Sequence, residues 1–137
     1  MSIVWIDDDI EIIDPVVQPI VEAGHEITRI RRADQALDSV EALQSADLIL
    51  LDMILPVGDH EEDFGRYPGV TLLRKLREEH GVKTPVIVFS VVEEEKLEEE
   101  LKSLDVADYV LKPALPSELK AAVDKVIGFR ASPGTET

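Results

Sequence analysis

Leu48 to Leu51 are four consecutive apolar residues bounded by Asp47 and Asp52. A chain satisfies that pattern with a strand buried on both faces that stops at a polar sheet edge. Three other stretches repeat it. SIVWI (residues 2–6) runs into Asp7, Asp8 and Asp9, PVIVF (85–89) into Ser90, and DYVL (108–111) into Lys112 and Pro113. Strands that are apolar on both faces belong to parallel sheets with helices on either side, and open sheets of that kind keep their chemistry at the carboxyl edge. Four such strands side by side gather carboxylates, a hydroxyl and an ammonium at one small site.

Between these runs the spacing of apolar residues becomes helical. Asp14 before Pro15 predicts an N-cap with proline at the first helical position, and a helix from about Asp14 to Ala23 stopped by Gly24. Pro19 inside it predicts a kink, or a split from a short turn over Ile10 to Ile13. EITRI (26–30) predicts a shorter edge strand. Ala33, Ala36, Leu37, Val40 and Leu43 share one face of a second helix. Val70, Leu72, Leu73 and Leu76 mark a third, ended by Gly81. Leu97, Leu101 and Leu104 form the stripe of a fourth, from Glu93, whose remaining surface is glutamate. Leu119, Ala122, Val123, Val126 and Ile127 give a fifth, from about Pro116 to Ile127. Val57 to Pro68 has no periodicity and predicts a loop. Five strands alternating with five helices predict an α/β fold, one parallel sheet covered on both faces by right-handed crossovers. Residues 1–129 make the domain, and 130–137 a flexible tail.

Charge limits the partners. Against 14 Lys plus Arg stand 29 acids, a net charge of −15, which repels phosphate backbones and anionic lipid. Direct nucleic-acid or membrane binding is therefore not expected, and partners should be basic or bring cations. The absence of cysteine removes disulfides and thiolate metal sites and suits a reducing compartment. With no apolar run approaching the roughly 18 residues of a membrane span, the chain reads as cytoplasmic.

Carboxylates crowded at one strand edge repel one another unless a cation sits among them. Mg²⁺ suits such a place, since it takes one or two protein carboxylates, keeps water and completes its shell with a phosphate oxygen. Taken singly, an acid pair, a strand-end serine or a lysine beside an aspartate is ordinary structure. Together they describe a phosphoryl site, with cation and lysine on the equatorial oxygens, a hydroxyl beside them and one carboxylate free to attack in line.

Asp7 and Asp8 after the first strand, Asp52 in LLDMILP, Ser90 after PVIVF, and Tyr109 with Lys112 and Pro113 in DYVLKP resemble the receiver domain of two-component response regulators, from Ser2 to about Gly128. The resemblance implies the flavodoxin-like fold with strand order 2-1-3-4-5. It implies that Asp52 is the phosphoacceptor, taking a phosphoryl group from a sensor histidine kinase or phosphotransfer protein. Asp7 or Asp8, with Asp52 and the Ile54 backbone carbonyl, would hold Mg²⁺. Lys112 and Ser90 would bind the phosphoryl group, and Ser90 with Tyr109 would form a switch read out on the fourth helix, fifth strand and fifth helix by a downstream protein.

Two features depart from the family pattern. The loop after Pro56 is long, with Asp59, His60, Glu61, Glu62 and Asp63 before the helix-starting glycine arrives at Gly69. Val91 follows the hydroxyl where a small residue is usual, and is expected to hinder a donor or water. Ile54 and Val92 add apolar flanks unable to orient an attacking water. The leading reading is a stand-alone receiver, a phosphoacceptor with self-catalysed transfer rather than a turnover enzyme. Competing readings are a receiver-like adaptor that is never phosphorylated, and a small phosphatase of the haloacid dehalogenase type with Asp7 as nucleophile and Asp9 as acid.

Overall fold

The computed structural model describes residues 1–8, 10–54, 67–92 and 95–135, with the backbone alone for 10–14, 95–96 and 129–135. Its strands are β1 (Ser2–Ile6), β2 (Glu26–Ile30), β3 (Leu48–Leu51), β4 (Val86–Ser90) and β5 (Asp108–Leu111). All pair in parallel, in the order β2-β1-β3-β4-β5, the doubly wound arrangement of flavodoxin-like folds. The uninterrupted apolar runs occupy the middle of the sheet, and the edges fall to β2 and β5, both partly open to solvent.

Alternation along the strands sorts the core into two layers. Val4, Ile6, Ile49, Leu51, Val86 and Val88 face α2 (Ala33–Leu37), α3 (Val40–Ser45), α4 (Pro68–Arg74) and α5 (Glu95–Ser103). Ile3, Trp5, Leu48, Leu50, Ile87 and Phe89 face α1 (Ile10–Glu22) and α6 (Pro116–Thr135). A one-residue slip in any central strand would exchange the two layers.

The helices depart from the expected boundaries in four places. α1 begins at Ile10 and holds both Pro15 and Pro19 inside it, so Asp14 is a helical residue rather than a cap. Each proline removes one N–H from the ladder, and burial of Val17 and Ile20 against the sheet offsets that loss. The second expected helix is two, broken at Asp38 and Ser39, where the Ser39 N–H turns back to the Ala36 carbonyl at 3.0 Å. Aspartate and serine are weak helix formers that favour such breaks. α4 passes into a π-helical turn over Lys75–Glu79, closed by the His80 N–H on the Lys75 carbonyl at 3.2 Å. Gly81, with φ of +65°, ends it as expected. α6 continues to Thr135 instead of stopping near Ile127, because a polar composition does not by itself prevent backbone hydrogen bonding. The acids and the histidine of the long loop lie outside the described residues.

At the sheet edge remote from the charged cluster, Arg77 ties three elements together. Its guanidinium donates to the carbonyls of Leu104 (3.0 Å), Val82 (2.9 Å), Thr84 (2.8 Å) and Asp105 (3.2 Å). The Thr84 hydroxyl extends the tie to the Leu43 carbonyl at 2.6 Å. Burial lowers the Arg77 pKa from its ordinary value against the opposing pull of Asp105, yet arginine remains charged. Arg77→Met leaves partly buried carbonyls without donors and is expected to cost about 2–3 kcal/mol. Urea unfolding followed by emission of Trp5, the one tryptophan and wholly buried, measures this. An unchanged midpoint would show that water replaces the guanidinium at no cost.

Candidate functional site

The sheet ladder runs one residue beyond its strands where the polar residues stand. The Asp7 N–H donates to the Ile30 carbonyl at 2.9 Å, the Asp52 N–H to Ile6 at 3.0 Å, and the Lys112 N–H to Ser90 at 2.9 Å. Three charged side chains therefore start from hydrogen-bonded backbone rather than from loose loops. On the far side of Met53 the chain returns to the same place, and the Gly69 N–H at the start of α4 donates to the Met53 carbonyl at 2.8 Å. Gly69 lies so close that a Cβ there would stand 2.5 Å from Met53 Cα, and closer still to the Asp52 carbonyl oxygen.

Asp52 is the centre of the cluster, with only 5% of its surface exposed. Its Oδ1 accepts from the Ser90 hydroxyl at 2.8 Å and from the Ile54 N–H at 3.1 Å. Its Oδ2 accepts from Lys112 Nζ at 3.1 Å, and the same ammonium reaches Asp7 Oδ2 at 2.7 Å. Asp7 and Ser90 are fully buried, and the Lys112 side chain is 9% exposed. Burial pulls the Lys112 pKa down, but the hydrogen bonds and charges of Asp7 and Asp52 outweigh it and hold the ammonium above its ordinary value.

Asp7, Asp8 and Asp52 each offer a carboxylate oxygen, and the three oxygens lie within 4.8 Å of one another. Asp8 is exposed while the other two are buried, which opens one side of the set to water. An all-oxygen donor set with a solvent-facing side fits a hard cation that retains part of its hydration. No helix among the described residues is long and apolar enough to cross a membrane.

Thus the structure brings together Asp7, Asp8, Asp52, Ser90 and Lys112. Tyr109 lies apart from them, half-buried against the α2–α5 layer, with its hydroxyl donating to the Val92 carbonyl. Val92 itself is buried in that layer, so of the two expected apolar flanks only Ile54 remains substantially exposed. Val91 is 61% exposed, projecting into solvent.

Three contributors escaped the sequence reading. The Ile54 N–H acts on Asp52, the Val92 carbonyl anchors Tyr109, and the Phe89 ring faces Lys112 with its centroid 5.1 Å from Nζ. Alternation contained a signal for the last, since Phe89 pairs with Val110 and Lys112 lies two residues beyond Val110, on the same face.

Comparison with known proteins agrees with this geometry. Sensor histidine kinase TmoS of Ectopseudomonas mendocina is 34% identical over 101 residues, 72% of this chain and 10% of the kinase. The phosphate regulon transcriptional regulatory protein PhoB of Pseudomonas aeruginosa is 32% identical over 136 residues, 97% of this chain and 54% of PhoB. The chain thus spans about half the length of one relative and a tenth of the other. The crystal structure of the BeF3-activated N-terminal receiver domain of Klebsiella pneumoniae RstA superposes with a TM-score of 0.73 at 25% identity, covering 93% of this chain and 98% of that one. The model of the response regulator receiver domain matches residues 3–124, a span that takes in every strand but for Ser2 of β1 and every residue of the charged cluster. The chain belongs to the response regulator receiver domain family, a signalling family of two-component systems rather than one of turnover enzymes.

Proposed function

We propose that Asp52 is the phosphoacceptor of a switch loaded by a sensor histidine kinase or a phosphotransfer protein. The observation that carries this reading is the unequal hold on its two oxygens. Oδ1 is fixed by the Ser90 hydroxyl and the Ile54 N–H, whereas among the described residues Oδ2 accepts a hydrogen bond from Lys112 alone. Oδ2 is the oxygen that becomes available when the ammonium swings toward an incoming phosphoryl group. It attacks phosphorus, the O–P bond forms, and the N–P bond of the donor phosphohistidine breaks with its electron pair returning to the imidazole nitrogen. Lys112 and Ser90 then donate to phosphoryl oxygens, in a low-dielectric site where such bonds are strongest.

Asp7, Asp8, Asp52 and the Ile54 carbonyl are the residues assigned to hold Mg²⁺. When bound, the ion supplies positive charge to the phosphoryl oxygens. Ser90 and Tyr109 form the switch in this reading. Both bear on the backbone after β4, Tyr109 through the Val92 carbonyl and Ser90 through its Oγ, which accepts from the Val92 N–H at 3.5 Å. The downstream face comprises α5, β5 and α6, the fourth helix, fifth strand and fifth helix of the family scheme. There a groove of about 190 Å³ is lined by Glu98, Leu101, Lys102, Val106, Asp108 and Tyr109. The net charge of −15 favours a basic protein partner over nucleic acid. We assign the chain, through about residue 129, to the cytoplasm as a receiver signalling through protein contacts.

Intact mass after incubation with acetyl phosphate and Mg²⁺ tests this. The native chain is expected to gain one phosphoryl group, and Asp52→Asn none. Omitting Mg²⁺ should remove the gain. A gain that survives Asp52→Asn would move the acceptor elsewhere, and no gain in the native chain would favour the unphosphorylated adaptor. The phosphatase reading leaves the buried, fully engaged Asp52 without a role.

A further inference from the structure

Lys112 has three ammonium N–H bonds and two oxygen partners. Asp7 Oδ2 and Asp52 Oδ2 lie at 2.7 and 3.1 Å, and no third oxygen among the described residues accepts from it. What the ammonium meets instead is Phe89, whose ring it overlies with 5.1 Å between Nζ and the centroid. That ring is 1% exposed and packed with Trp5, Leu50 and Ile87 in the layer facing α1 and α6. It is therefore a fixed surface, and the face of an aromatic ring carries negative quadrupole density that attracts a cation.

The chemistry assigned to Asp52 makes two demands on Lys112. It must release Asp52 Oδ2, and it must stay close enough to meet a phosphoryl oxygen. A third oxygen partner would hold the ammonium through a directional bond that has to stretch or break as it moves. A ring face attracts it over a broad area and leaves it free to slide.

We propose that Phe89 is a positioning residue for Lys112, its ring confining the ammonium while it passes from the acceptor carboxylate to the phosphoryl group. This rests on Asp52 being the acceptor. The attraction is strongest where water is excluded, and a side chain that is 9% exposed meets that condition. The nucleophile and the ammonium remain present without the ring, so its removal slows transfer rather than abolishing it.

The test varies the electronics of the ring at nearly constant shape. Position 89 is filled in turn with phenylalanine, 4-fluoro-, 3,5-difluoro- and pentafluorophenylalanine in the full chain, with Phe89→Leu beside them. Phosphoryl uptake from acetyl phosphate with Mg²⁺ is timed for each. The logarithm of the rate is expected to fall steadily as fluorine drains the ring face, reaching about a tenfold loss with pentafluorophenylalanine, between the values of an exposed and a fully desolvated cation–π contact. Phe89→Leu should show a similar loss. In proteins not yet given donor, the ring current should hold the Lys112 ε-methylene proton signals upfield, and Phe89→Leu should return them to their ordinary position. A rate that drops for Phe89→Leu but ignores fluorination overturns the proposal, because packing alone would then explain the loss. Unshifted methylene signals in the native chain overturn it as well. A native chain that takes up no phosphoryl group overturns the acceptor assignment and the positioning role built on it, whereas uptake at a rate indifferent to fluorination overturns the positioning role alone.

Discussion

Lys112→Met is expected to destabilise the fold by about 3–5 kcal/mol at neutral pH, the range for removing one member of a buried charge pair. The methionine keeps the length of the stem and loses the charge. Asp7 and Asp52, both buried, then face each other without the ammonium that bridges them at 2.7 and 3.1 Å, leaving two like charges crowded without a counter-charge. Phosphoryl uptake should fall below detection, since Asp52 would have lost the ammonium bonded to its Oδ2. Mg²⁺ should recover part of the lost stability by placing a cation among Asp7, Asp8 and Asp52, and should recover more in the variant than it adds to the native chain. Urea unfolding with and without Mg²⁺, followed by Trp5 emission, gives all four values. A variant as stable as the native chain in the absence of Mg²⁺ would mean that the carboxylates are solvated.

The same pair sets a pH dependence whose sign is fixed by the raised Lys112 pKa, on which burial acts downward and the two carboxylates act upward more strongly. A group whose pKa is higher folded than unfolded stabilises fully below its unfolded value, about 10.4 for lysine. That contribution is lost as pH climbs through the folded value. The stability gap between native and Lys112→Met should accordingly stay flat from neutrality to about pH 10 and close only beyond it.

Gly69→Ala is the second large effect, although it removes nothing. The new methyl would meet Met53 Cα at 2.5 Å and the Asp52 carbonyl carbon at 2.9 Å, and neither is a flexible side-chain end that can turn away. Either α4 retreats and gives up the 2.8 Å bond from the Gly69 N–H to the Met53 carbonyl, or the backbone of Asp52 and Met53 moves. We expect a cost of about 2–4 kcal/mol with at least a tenfold slower phosphoryl uptake, since misplacing a reacting group by an ångström costs more than that. Gly128→Ala is the matched control. It lies in α6 with nothing within 4 Å of the added carbon, and should gain up to about 1 kcal/mol from helix propensity. Equal outcomes for the two glycines would remove the steric argument.

The sheet was legible in the sequence because its central strands are buried on both faces, and such a run has few other ways to fold. The polar residues that stop those runs were legible for the same reason. A strand that ends on Asp52 or Lys112 ends where the apolar core gives way to a polar site, and parallel pairing puts all such ends on one side. Helix boundaries were less legible. Asp14 and Pro15 carry the local chemistry of a helix start, yet tertiary burial of Val17 and Ile20 lets the helix begin at Ile10 and run through both prolines. The break at Asp38 and Ser39 was lost because the apolar spacing from Ala33 to Leu43 reads as a single stripe. Within the site, the gathering of Asp7, Asp8, Asp52, Ser90 and Lys112 was legible from residue type and strand position, whereas the contacts of the Ile54 N–H and the Val92 carbonyl were not, since every residue has a backbone. Gly69 was placed at a helix start by pattern, but its closeness to the Asp52 carbonyl exists only in three dimensions.

The ladder bonds that continue past the strands also decide how a signal can leave the site. Asp7, Asp52 and Lys112 are anchored to neighbouring strands through their own backbones, so the sheet behind them behaves as a rigid anvil. A change of charge on Asp52 cannot travel by bending it without breaking bonds on both sides at once. The segments just beyond the anchors stand outside the ladder: Met53 and Ile54, Val91 and Val92, and the turn from Pro113 to Leu115. On the proposed reading of Asp52, a change in its state would leave the site through these segments and around the rim of the sheet rather than through the strands.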